Sequence, residues 1–92
     1  MTPIHPGPIL RRELQARGLS ANALARALRV PSGRVVDILN GKRAVSAETA
    51  LRLGRYFGND PQFWLNLQAQ YDLALAMRAV GRRVAREVER AA

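Results

Sequence analysis

Apolar residues fall along this chain in short blocks of helical period, separated by glycine, proline and capping residues. Residues 1–7, "MTPIHPG", hold two prolines and a glycine and are expected to form an extended arm. Pro8 suits the first turn of a helix, where a backbone N–H is not needed. Ile9, Leu10 and Leu14 give that helix one apolar face, and Gly18 ends it. Ser20 caps a second helix, Ala21 to Leu28, with Leu24, Ala25 and Leu28 turned inward. After Arg29-Val30-Pro31 a third helix runs from about Ser32 to Asn40 with Val35, Ile38 and Leu39 on its buried side; Asn40-Gly41 closes it. Ser46 caps a fourth helix to Phe57, packed through Ala50, Leu51, Leu53, Tyr56 and Phe57 and stopped by Gly58. Asp60-Pro61 opens a fifth, which Gly81 is expected to break or end. The tail "RRVAREVERAA" carries Val84 and Val88 four apart among charges of both signs, a marginal helix. The pattern predicts an all-α, five-helix domain over residues 8–80, with an arm at 1–7 and a charged C-terminal helical extension at 81–92.

Composition narrows the classes. Ninety-two residues, 48% of them hydrophobic, suffice for one domain with a small core, built mainly from Leu, Val, Ile and Ala. There is no cysteine, so disulfides, thiolate nucleophiles and Cys-type zinc sites are excluded. The N-terminus lacks the pattern of a signal peptide, and no apolar run approaches a membrane span; a cytoplasmic protein without a membrane partner is expected. The seven carboxylates are scattered without a neighbouring base or nucleophile, so no catalytic residue and no cofactor are expected. His5, the sole histidine, has no ligand-type neighbours; it suits a cap or packing role better than a metal site. The net charge of +8 fits an anionic partner, nucleic acid first.

The stretch "ALARALRVPSGRVVDILNGKR" concentrates that charge around a sharp break. Two short helices meeting at a turn, with Leu24, Ala25, Leu28, Val30, Val35 and Ile38 buried, have the spacing of a helix-turn-helix. The outward positions of the second helix are then Ser32, Gly33, Arg34, Val36 and Asp37. Arg34 is the strongest base reader among them, because its planar fork pairs with O6 and N7 of guanine. Val36 suits a thymine methyl, and Ser32 a base or a phosphate. Asp37 is repelled by phosphates; it fits cytosine N4, or more simply an intrahelical partnership with Arg34. Asn40, Lys42 and Arg43 follow at the helix exit, placed for the sugar-phosphate backbone.

Residues 21–43 resemble the phage-repressor (Xre/Cro-like) type of helix-turn-helix. The flanks "HPGPILRREL" (5–14), "NGKRAVSAETALRL" (40–53) and "DPQFWLNLQAQYDLA" (60–74) resemble the HigA antitoxins of bacterial toxin–antitoxin modules. The resemblance implies a homodimer that binds double-stranded operator DNA, represses its own operon and neutralises a RelE/HigB-like toxin, an mRNA endonuclease. Three positions depart from the pattern. Arg29 stands where such turns often carry glycine; at positive φ it would cost about 1 kcal/mol, which predicts a differently shaped turn. Ala21 replaces a polar residue that often binds phosphate, leaving that role to Asn22. Pro8 replaces an acid.

A dimer is also expected from the fifth helix, where Phe63, Trp64, Leu67, Tyr71 and Leu75, with Leu73 and Met77, cover too much circumference for one small core to bury. Two other readings fit the same residues. One is a free-standing repressor of this fold without a toxin; the other is a protein-interaction module that has lost DNA binding.

Overall fold

The computed structural model describes residues 3–91. Its elements are α1 (Pro6–Arg17), α2 (Ala21–Leu28), α3 (Ser32–Leu39), α4 (Ala47–Phe57) and α5 (Pro61–Glu87), with no strand among the described residues. Local capping sets most of these boundaries. Ser20 Oγ accepts from the Ala23 N–H at 3.0 Å, Ser46 Oγ from the Thr49 N–H at 3.2 Å, and Asp60 Oδ1 from the Gln62 N–H at 2.9 Å. Gly18 and Gly58 close α1 and α4 in the left-handed conformation.

The first helix begins at Pro6 rather than Pro8, because His5 is the cap. Its Nδ1 accepts from the Gly7 N–H at 2.9 Å, and its ring stands edge-on to Tyr71 of α5, 5.0 Å between centroids. The expected arm is therefore shorter, and its residues Met1 and Thr2 lie outside the described residues.

Leu10 and Leu14 of α1, Leu24, Ala25 and Leu28 of α2, and Val35 and Ile38 of α3 form one core with Val45, Ala50, Leu53 and Trp64. Two of the expected packing residues of α4 are not in it: Leu51 and Tyr56 are 61% and 40% exposed. Leu39 is only half-buried.

The fifth helix passes through Gly81 without a break and spans 27 residues, about 40 Å. A glycine costs a helix about 1 kcal/mol, too little to stop one continued by Arg82, Arg83 and Ala85. An Arg83–Glu87 pair at 3.7 Å adds a minor contact one turn on. The helix outruns the body, which gives the molecule its 51 Å long axis against 22 Å in the other two directions.

Candidate nucleic-acid interface

The turn between α2 and α3 has the shape that the sequence argues against. Arg29 adopts φ 60°, ψ 44°, the left-handed conformation, and is the sole non-glycine residue at positive φ among the described residues. The reason is hydrogen bonding. The N–H groups of Arg29 and Val30 reach back to the carbonyls of Arg26 (3.2 Å) and Ala25 (3.0 Å), closing α2 in the manner usually given to glycine. Arg52 of α4 adds a clamp: its Nη1 donates to the Leu28 carbonyl at 2.9 Å, while Nη2 pairs with Glu48 at 3.0 Å. The backbone contacts over-determine the turn and hold Arg29 in a strained conformation. Arg29→Gly should therefore raise stability by up to about 1 kcal/mol, or roughly 4–8 °C in melting temperature. Thermal unfolding followed by circular dichroism checks this, and a lowered melting temperature would contradict it.

Val30 and Pro31 then lead into α3. Pro31 is its N-cap residue and brings no side-chain cap, so the first turn of α3 offers backbone N–H groups outward. Ser32, Gly33 and Val36 are exposed on the outer side, with Arg34 and Asp37 half-buried beside them. The expected Arg34–Asp37 pairing does not form: the ion pairs among the described residues are Glu13–Arg17, Glu48–Arg52 and Arg83–Glu87. Arg34 is thus free of an acidic partner.

At the far end, the Gly41 and Lys42 N–H groups bond to the carbonyls of Ile38 (3.1 Å) and Asp37 (2.8 Å), and Gly41 turns at φ 73°. This sends Lys42 and Arg43 out into solvent next to α3. Asn40 Oδ1 accepts a long bond, 3.4 Å, from Arg11 of α1. Asn22 is exposed in the first turn of α2, just past the Ser20 cap. The nine expected DNA-binding residues therefore occupy one outward helix face, its exit and the start of the helix before it.

Gln68 positions this surface without any notice from the apolar pattern. It is buried on α5, where its Oε1 accepts from the Val45 N–H at 2.8 Å and its Nε2 donates to Asp72 at 2.9 Å. That bond fixes the loop two residues beyond Arg43. The one available signal is its place, four residues after Trp64 on the core-facing side of the helix.

The residues expected at a dimer seam divide. Trp64 is 1% exposed within its own chain, its Nε1 bonded to Asn59 Oδ1 at 3.1 Å and its ring tilted on Phe57; it belongs to the core, not to a seam. Leu67 packs half-buried against the same core, and Tyr71 is half-buried beside His5. Phe63 and Leu75 remain exposed, but the most open large apolar residues of this helix are Leu73 and Met77, at 63% and 64%.

Among the described residues no three His, Cys, Asp or Glu side chains gather as a metal site, and no helix is long and apolar enough to cross a membrane.

A family model described as helix-turn-helix matches residues 10–64, which takes in α2, α3 and α4 entire. The structure of an addiction module antidote protein of the HigA family from Coxiella burnetii superimposes with a TM-score of 0.96. The two are 49% identical over 99% of this chain and 100% of that one. The chain belongs to the HigA family of helix-turn-helix antitoxins. Pseudomonas aeruginosa antitoxin HigA, solved with the higBA promoter, is 50% identical over 96% of this chain and 97% of that one, at a TM-score of 0.92. Virulence-associated protein I of Dichelobacter nodosus is 56% identical over 77 residues, 83% of this chain and 71% of that protein. HigA is a DNA-binding family and not an enzyme family.

Proposed function

We propose that this HigA-family protein is a cytoplasmic, homodimeric antitoxin that represses its own operon and sequesters a RelE-like mRNA endonuclease encoded beside it. One observation carries the DNA half of this reading. The chain shares half its residues and its whole fold with a HigA solved on promoter DNA, and it presents a half-buried Arg34, without an acidic partner among the described residues, beside the exposed Ser32, Gly33 and Val36 of α3. In the major groove, Arg34 pairs with a guanine edge, Ser32 and Val36 meet neighbouring positions, and Gly33 lets the helix approach closely. Asn22, Asn40, Lys42 and Arg43 grip phosphates on either side, and the uncapped α3 N-terminus adds its dipole. Asp37 faces cytosine N4. A two-fold axis through α5 sets two α3 helices about 34 Å apart, one turn of duplex, so the operator is palindromic.

The sequence upstream of the gene supplies the test. Arg34→Ala should cost about 1–3 kcal/mol on that duplex and relax preference at a single base pair. Lys42→Ala should weaken all duplexes about equally and lower the salt slope by roughly one. Footprints and titrations of each variant separate the two effects. An Arg34→Ala protein that still discriminates fully among operator variants would remove Arg34 from base readout. For the toxin half, the neighbouring gene's product should cleave RNA alone and cease when mixed with this chain.

A further inference from the structure

The C-terminal end of α2 and the outer face of α4 enclose a groove of about 510 Å³ that the DNA-binding reading leaves unused. Leu51 and Tyr56 line it and stand open, 61% and 40% exposed, although the helical pattern puts both among packing residues. Arg29, Arg52 and Arg55 surround them. Arg52 is engaged by Glu48 and the Leu28 carbonyl; Arg29 and Arg55 form no ion pair among the described residues. Arg29 is also the residue held in the left-handed conformation, where a glycine would relax the backbone but bring no charge. An uncompensated cationic pair, an open apolar pair and a strained backbone thus meet in one place.

We infer that this groove is the docking site for an acidic, apolar-tipped segment of the toxin, an inference that rests on the antitoxin reading above. An apolar side chain of the segment settles between Leu51 and Tyr56, and flanking carboxylates pair with Arg29 and Arg55 through charge-assisted hydrogen bonds. A phosphate backbone would satisfy the arginines but leave the apolar pair wet, so the observations favour a protein segment over nucleic acid. The groove lies at the end of α2 opposite Asn22, roughly 10 Å along the helix, and α4 contributes nothing to the candidate DNA surface. The toxin and the operator then bind at the same time.

The experiment uses the full chain, the purified product of the neighbouring gene and the upstream duplex, with both affinities measured by calorimetry or fluorescence titration. Arg55→Glu and Leu51→Glu, each at an exposed position, should weaken toxin binding by at least about 30-fold. Operator affinity should stay within about two-fold of an Arg90→Glu control, which carries the same charge change as Arg55→Glu at the tail. Arg29→Gly should bind toxin about 10-fold more weakly while melting at a higher temperature, a combination that a purely structural role for Arg29 would not give. If the wild type binds the toxin and the two glutamate variants bind it equally well, the groove is wrong and the antitoxin reading stands. If operator affinity falls in step with toxin affinity, the groove belongs to the DNA face and the inference is overturned. If the wild type does not bind the neighbouring product, both readings fall together.

Discussion

Replacing Leu73 and Met77 together by aspartate should convert a dimer into monomers and lower operator affinity by about 100-fold or more. The two residues lie four apart on α5, and Val80 and Val84 continue the same row at helical spacing past the end of the body. In the single chain Leu73 and Met77 are nearly two-thirds exposed, so charging them should leave the protomer folded. In a two-fold dimer each counts twice. Four side chains kept in water instead of a seam forfeit about 1.5 kcal/mol apiece at the low end, roughly 6 kcal/mol in all, before any cost of burying carboxylates. That raises the dimer dissociation constant by about four orders of magnitude. DNA affinity falls because each α3 must then find its half-site alone, without the effective concentration that a tethered partner supplies. Light scattering should report one chain mass instead of two, with helicity unchanged by circular dichroism. Leu75→Asp should act more weakly, since Leu75, though exposed, shares the helix face of Tyr71, roughly opposite the Leu73–Met77 row. A double variant that remains dimeric and binds its operator normally would place the two-fold axis elsewhere.

Short-range chemistry explains how much of this molecule was legible in its sequence. Ser20, Ser46, Asp60, Gly18 and Gly58 act on N–H and carbonyl groups within a few residues, so their caps and the helices between them follow from local pattern. The outward face of α3 follows from the same periodicity, because burying Val35 and Ile38 leaves Ser32, Gly33 and Val36 outside. What local pattern misses is decided by competition or by distant contacts. Gly81 opposes helix by about 1 kcal/mol and is outvoted by its neighbours. Arg29 opposes the left-handed turn by a similar amount and is outvoted by three hydrogen bonds, those of its own N–H, of Val30 and of Arg52. Periodicity marks Trp64 as apolar and helical but cannot say whether its own chain or a second copy covers it. The pairing of Gln68 with Val45 spans 23 positions, and no rule of spacing predicts it.

Gly7→Ala should be among the most damaging small substitutions in the chain, and nothing in the sequence around it announces this. The first turn of α1 lies directly on the C-terminal end of α3. A Cβ on residue 7 would stand 2.8 Å from the Leu39 carbonyl oxygen and closer still to that of Ile38. Both obstacles are backbone, so no side chain can swing aside; α1 must lift from α3. Lifting it strains the His5 cap and loosens Leu10 and Leu14, which lie in the core beside Ile38. Overpacking of this kind costs about 3 kcal/mol, enough to lower the melting temperature of a domain this size by more than about 12 °C. Operator affinity should fall as well, because α3 and the loop to Lys42 and Arg43 leave from the very carbonyls that are pushed. Gly33→Ala supplies the contrast. It lies in the first turn of α3 with nothing within 4 Å of its would-be Cβ, so the same added methyl should stabilise by up to about 1 kcal/mol through helix propensity. Opposite signs for one chemical change, read in a single pair of melting curves, separate a steric role for Gly7 from any general sensitivity to alanine. Equal melting temperatures for Gly7→Ala and the wild type would mean that α1 and α3 are not held backbone to backbone.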